Sequence, residues 1–278
     1  MRTIVITGGT DGMGAALARH FLRTGDRVVV IGRSRAKFDA LLTTVAGNHQ
    51  SAEEPQAASR ADFVAADLSL VADSRRVIEH LQANHARIDA LVLAASFIRQ
   101  RRHATVEGRE ASWVLFFISK YLFVTGLAAL LHAAERPVIV NMAVPGARDD
   151  AIDFDDLEMR EGFTFARSNA QQRRANELLG ILATNENPDL AYVTWGPARL
   201  VRSSFAGEAG KVMKAAAAVL GTLLGQRPDA AVSPIIGMID TPVSGRAAYR
   251  GAKKLTLTVG NHDDEDAARL ATAVGDSF

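Results

Sequence analysis

Three glycines carry the first chemical signal of this chain. In Thr7-Gly-Gly-Thr-Asp-Gly-Met-Gly14, the residues Gly8, Gly12 and Gly14 recur with the spacing G-x-x-x-G-x-G. Residues without a side chain permit a tight turn and let backbone N–H groups approach a pyrophosphate closely. A helix opening from such a loop adds its free N–H groups and positive dipole end. Further on, Gly32-Arg33-Ser34-Arg35 offers two guanidinium groups and no carboxylate. A carboxylate there would suit the ribose hydroxyls of NADH, whereas guanidinium groups suit the 2′-phosphate of NADPH. Asp11, inside the loop, works against additional negative charge. NADPH is therefore the expected cofactor, ahead of NADH. A glycine-rich strand–helix turn that binds nothing has the same composition, so the elements around the motif decide its meaning.

Those elements alternate. The β-branched run Thr3–Thr7 reads as a buried strand and Met13–Arg23 as the helix after it. The pattern repeats with strand Arg27–Ile31 and helix Ala36–Val45, strand Asp62–Ala66 and helix Val71–Ala83, then strand Asp89–Ala94. A long apolar helix from about Glu110 to Ala134 precedes a fifth strand, Pro137–Met142, and the helix of Phe165–Leu179. Ala191–Trp195 is a sixth strand and Leu255–Val259 a seventh. This order predicts an α/β fold: a doubly wound (Rossmann) parallel sheet of about seven strands, with helices on both faces. One domain, 1–278, is expected. Asn48–Arg60 reads as a surface loop. An insertion at 199–240, with Gly207, Gly210, Gly221 and Gly225 around an apolar segment, reads either as a lid over a greasy ligand or as a core helix.

Totals narrow the field. With 48% hydrophobic residues, the 278-residue chain can bury a sizeable core. Its 32 basic and 31 acidic residues give a formal charge of +1, which supplies no electrostatic argument for nucleic acid or an anionic membrane. The short basic cluster Arg99, Arg101, Arg102 and His103 reads as a solvated loop. Without cysteine, disulfides, thiolate metal sites and cysteine nucleophiles are excluded, and no metal site is expected. No signal peptide or membrane-length apolar run is visible, so a soluble, cytoplasmic protein is expected.

With these motifs in place, the chain resembles the short-chain dehydrogenase/reductase family over nearly its whole length. Thr7–Gly14 matches the family fingerprint, and Asp67-Leu68 the adenine-side pair after the third strand. Ala94-Ala95-Ser96 stands where members commonly have Asn-Ala-Gly. Ile152–Leu157, Arg173–Asn176 and Ser244–Tyr249 resemble the retinol-dehydrogenase-like branch. The resemblance implies cofactor contacts from Gly8, Thr10, Asp11, Gly12, Met13 and Gly14, from Arg33 and Ser34, and from Asp67 and Leu68. It implies further contacts from Ala94 and Ala95, and from Pro197 and Arg199 after the sixth strand.

The family's chemistry uses Ser, Tyr and Lys, often with an Asn on the long fourth helix. Here Val144 takes the Ser place, Asn169 the Tyr place and Arg173 the Lys place, and the Asn falls near Phe117. A literal Tyr-x-x-x-Lys does occur at Tyr249–Lys253, but just before the expected seventh strand and away from the fifth helix. Arg173 can supply fixed charge or hold the ribose, but its pKa stays above about 12 and it is no acid. Asn169 can donate a hydrogen bond only. Ser96, at the end of the fourth strand, can polarise a carbonyl or orient a water, or serve merely as a small residue beside the cofactor.

The departures fit an atypical member that reduces a ketone of a polycyclic aromatic polyketide in antibiotic tailoring, of the angucyclinone type. The proton would then come from water or from a phenol of the substrate. A catalytically inactive NADPH-binding sensor or partner subunit is the main alternative, and a cyclase or dehydratase with a structural cofactor the second. A monomer or a homodimer fits equally.

Overall fold

The computed structural model describes residues 1–46, 54–201 and 225–275. Eight strands form one sheet: β1 (Thr3–Thr7), β2 (Arg27–Gly32), β3 (Ala61–Ala65), β4 (Ala90–Leu93), β5 (Val138–Asn141), β6 (Ala191–Gly196), β7 (Gly245–Arg250) and β8 (Lys253–Leu255). Their order is β3-β2-β1-β4-β5-β6-β7-β8. All neighbours are parallel except β7 and β8, which pair as an antiparallel hairpin.

Successive residues of β1 face opposite sides. Val5 joins an apolar core with α4 (Val71–Asn84), α8 (Phe165–Glu186) and the last helix, while Ile4 and Ile6 join a second core with α1 (Gly12–Arg23) and α2 (Arg35–Ala46). Burial on both faces explains why the inner strands read as unbroken apolar runs. Strand order reverses between β1 and β4, and this opens a crevice at their carboxyl ends.

Several expectations change. The seventh parallel strand is Gly245–Arg250, not Leu255–Val259; only Leu255 of the latter is in a strand. The β-branched alternation of Leu-Thr-Leu-Thr-Val is spent on a loop, in which Thr258 Oγ1 donates to Ala147 O at 3.2 Å. Tyr249 and Lys253 lie on the two arms of the terminal hairpin, with Tyr249 opposite Lys254. Part of the expected 48–60 loop is a short helix, α3 (Glu54–Ser59). The long apolar helix is interrupted: α5 (Ala111–Trp113) runs into a π-helical turn (Val114–Ile118), then α6 (Ser119–Gly126), and Leu127 separates it from α7 (Ala128–His132).

Of the 199–240 insertion, residues 202–224 lie outside the described residues. Its last part forms α9 (Pro228–Ala231) and α10 (Ser233–Asp240); Val232 between them and Ile235 and Ile239 of α10 are buried in the α1-side core. The apolar segment on which the lid and core-helix expectations turn lies within 202–224, outside the described residues. The last helix is α11 (Asp263–Gly275). Among the described residues, no helix is long and apolar enough to cross a membrane.

Candidate functional site

The loop from β1 to α1 is built by backbone constraints. Gly8 has φ +67°, and a Cβ there would lie 2.7 Å from Ala95 Cα. A Cβ on Gly14 would lie 2.4 Å from Gly8 O. Glycine alone fits both places, so the loop closes on itself and against the end of β4. Thr7 fastens that end: its Oγ1 accepts from Ala94 N at 3.0 Å and Ala95 N at 3.2 Å. Asp11 caps α1, with Oδ1 accepting from Gly12 N at 2.7 Å.

This loop borders a cleft of about 390 Å³ at the switch point. Of the residues singled out in the sequence, Gly8, Thr10, Asp11, Gly12, Met13, Gly14, Arg33, Ser34, Asp67, Leu68, Ala94, Ala95 and Ser96 all line it. Pro197, Arg199, Asn169 and Arg173 do not. Lys37, Phe97, Arg99, Leu115 and Met142 line it too and were missed. Lys37 was legible in principle as a cation one helical turn beyond Arg33.

The charged wall of the cleft is ordered. Arg33 lies over the Phe97 ring, 5.4 Å from its centroid, and Arg99 over the same ring at 4.8 Å. Arg35 instead turns to Asp39, with Nε 2.9 Å from Oδ1. Lys37 Nζ pairs with Asp11 Oδ2 at 2.5 Å. Ser69 donates to Asp67 Oδ1 from N at 3.0 Å and from Oγ at 2.7 Å. Burial alone would raise the Asp67 pKa, but these bonds, with Arg33 and Arg99, hold it below its ordinary value. The basic cluster is therefore not a uniformly solvated loop: Arg99 borders the cleft, and Arg102 Nε donates to Glu158 O at 3.1 Å.

Val144, Asn169 and Arg173, expected from sequence at the family's catalytic places, lie outside the lining of the cleft. Val144 has φ +45° and donates its N–H to Trp195 O at 3.1 Å. Arg173 Nε donates to Val144 O at 2.6 Å and Nη2 to Pro145 O at 2.7 Å. Next along the loop, Gly146 N donates to Glu177 Oε1 at 2.6 Å. Gln171 accepts from Asp153 N at 3.0 Å and donates to Leu157 O at 2.7 Å. Arg174, 1% exposed, pairs with Asp263. The first turns of α8 thus fasten loops. Asn169 is half-buried, and its side chain makes no hydrogen bond among the described residues. Phe117 is a core ring between Trp113 and Tyr121, at 4.6 and 6.2 Å. Ser96 is exposed at the cleft.

Behind β5 lies a buried polar network. Lys120 Nζ donates to Asn141 Oδ1 at 2.8 Å, and Asn141 Nδ2 to Asn176 Oδ1 and Tyr192 Oη, both at 2.7 Å. Asn176 Nδ2 donates to Phe116 O in the π-helical turn at 2.7 Å. Burial pushes the Lys120 pKa down to about 7.

A glycine loop, a switch-point cleft and this strand order together define a class: the chain belongs to the short-chain dehydrogenase family, whose profile matches residues 2–144. Among relatives, a Streptomyces sp. (strain C5) protein described as a daunorubicin C-13 ketoreductase, DnrU, is 29% identical over 70% of this chain and 65% of its own length. Human retinol dehydrogenase 14 is 25% identical over 64% of this chain and 54% of its own length. The chain spans about half the length of the curated relatives it matches. In fold, it is similar to a short-chain dehydrogenase from Sphingobium yanoikuyae in complex with NADPH, with TM-score 0.63 and 20% identity, covering 98% of this chain and 95% of that one.

Proposed function

We infer that this chain is an NADPH-dependent ketoreductase that acts on a ketone of a polycyclic aromatic polyketide without a tyrosine acid. The observation that carries the reading is the cleft in which the glycine loop, Arg33, Ser34 and Lys37 meet. Its donor set fits a dinucleotide with an additional phosphate: loop N–H groups and the α1 N-terminus for the pyrophosphate, and two cations for the 2′-phosphate. The NADPH held by the Sphingobium relative supports the cofactor. The ketoreductase description of the Streptomyces relative supports the substrate class.

Bound NADPH supplies the hydride. The protein's part is to position and polarise. Gly8, Gly12 and Gly14 admit the phosphates, Arg33 marks the adenosine end, and Asp67-Leu68 border it. Ser96 Oγ is the hydroxyl that can donate to a carbonyl oxygen, and Leu115 and Met142 give an apolar wall. The proton comes from water or from a phenol beside the ketone. Losing the acid costs about 10²–10⁴ in rate, against about 7–11 kcal/mol available from orientation.

One observation favours a second reading, NADPH binding without turnover: Arg173 directs two donors at backbone carbonyls. The two readings separate when the protein is titrated with NADPH and then mixed with polycyclic ketones, following nicotinamide absorbance. Turnover with an aromatic ketone supports the reductase. Tight NADPH binding with no turnover on any ketone supports the second reading.

A further inference from the structure

We propose that Asp263, on the last helix, is a positioning residue for the loop after β5, acting through Arg174 and Glu177. The inference rests on the reductase reading for its consequence, ketone turnover, because the loop leaves β5 through Met142, which walls the cleft.

The loop is held by its backbone. Arg173 takes the carbonyls of Val144 and Pro145, and Glu177 Oε1 accepts from Gly146 N at 2.6 Å. The Ala147 amide also donates to Glu177, and Thr258 Oγ1 donates to Ala147 O at 3.2 Å. Glu177 can serve these amides only while its carboxylate is turned to the loop.

What frees it to do so is the pairing of Arg174, three positions earlier on α8. Side-chain exposure is 1% for Arg174, 9% for Glu177 and 11% for Asp263, so the guanidinium must find a carboxylate within the protein. Arg174 Nη2 bonds directly to Asp263 Oδ1, whereas Nη1 meets Glu177 Oε2 only at 3.5 Å. The same Asp263 oxygen accepts from Gly260 N at 3.0 Å. A Cβ on Gly260 would lie 2.7 Å from Asp263 Oδ1, 3.0 Å from Arg174 Nη2 and 3.1 Å from Asp149 Cβ, so the pair sits tightly between the C-terminal segment and the end of the loop. Asp263 thus holds the guanidinium and leaves Glu177 to the loop. Without the Asp263 charge, Arg174 draws Glu177 to itself, and the Gly146 and Ala147 amides lose their acceptor. Arg174 is paired in either arrangement, so the damage is local to the loop.

The test is hydrogen exchange of the whole chain, read in the peptide covering 143–149, together with NADPH affinity and turnover of a phenol-bearing polycyclic ketone. Asp263→Asn keeps an acceptor for Gly260 N and removes the charge. Protection of the loop peptide should fall about tenfold while that of β1 stays within about twofold, the mark of a local opening. Gly260→Ala displaces the pair with every charge in place and should give the same pattern. Asp263→Glu keeps the charge and should stay within about threefold of the wild type. NADPH affinity should hold within about twofold in Asp263→Asn, and kcat should fall about tenfold or more as the site loses its alignment. In an Arg174→Met background there is no guanidinium to redirect, and Asp263→Asn should leave the loop peptide unchanged. An equal loss with and without Arg174, a loss shared equally by β1, or an undiminished kcat in a variant whose loop has opened overturns the proposal. A wild type with a protected loop that turns over no ketone overturns the reductase reading instead, and the exchange results then decide the coupling of Asp263 to the loop on their own.

Discussion

Arg173 donates from Nε to the carbonyl oxygen of Val144 at 2.6 Å. The residues proposed from sequence for the family's lysine and serine places are therefore bonded to each other, across 29 positions of sequence. α8 thereby braces the loop after β5. Val144 is held at φ +45°, a conformation that a β-branched residue keeps only when its surroundings enforce it.

Replacing Arg173 should therefore act on stability before it acts on cofactor binding. Arg173→Lys cannot reproduce two fork-like bonds, and should cost about 1–3 kcal/mol of unfolding free energy. NADPH affinity should stay within about twofold. Chemical denaturation and fluorescence titration check both. A large loss of NADPH affinity at unchanged stability would restore Arg173 as a ribose ligand.

Arg33→Ala removes the cation nearest the expected phosphate and its stack on Phe97. The dissociation constant for NADPH should rise about tenfold or more, that for NADH far less, in line with a charge-assisted contact. Equal losses for both cofactors would remove the 2′-phosphate from this end of the cleft.

Gly8→Ala places a methyl 2.7 Å from Ala95 Cα and 2.8 Å from Ala95 N, both backbone atoms, at a left-handed φ of +67°. Conformational strain alone is about 1–3 kcal/mol. Nucleotide binding should be lost with a measurable fall in melting temperature. Wild-type affinity in this variant would mean that the loop is not the phosphate cradle.

Lys120 predicts a pH signature. Its folded pKa, about 7, lies below the ordinary 10.5 because burial disfavours the ammonium. Between these values the unfolded chain binds more protons than the folded one. This contribution therefore rises with pH from 7 to 10.5, by up to about 1.4 kcal/mol per unit, and is at its lowest below pH 7. Lys120→Met should flatten that rise in urea denaturation profiles taken across the window. Parallel profiles for wild type and variant would contradict it.

The inner sheet was legible because β1, β2 and β4 to β6 are buried on both faces and consist almost wholly of apolar or β-branched residues. The edge was not. β7 reads Gly-Arg-Ala-Ala-Tyr-Arg, with only Ala248 fully buried, so its pattern carries no strand signal. The more strand-like Leu255–Val259 beyond it is held mainly as loop.

The lining of the switch-point cleft was legible because its glycines and arginines sit at fixed distances from strand ends. Thr7, Lys37 and Phe97 were missed, since their roles depend on partners brought together by the sheet. Sequence proposed Asn169 and Arg173 for the family's tyrosine and lysine places, but not what Arg173 touches. Arg173's partners are carbonyls 28 and 29 residues away, and backbone acceptors leave no trace in residue types.

The proposed reaction is hydride transfer to an aromatic ketone without a tyrosine acid. It is tested most directly by incubating the protein with NADPH carrying deuterium at the transferable position and a phenol-bearing polycyclic ketone, then reading the product by mass spectrometry. The expected product is an alcohol one deuterium heavier at the carbinol carbon, with formation slowed but not abolished in Ser96→Ala. A product without deuterium, or no alcohol from any such ketone despite saturating NADPH, would contradict it.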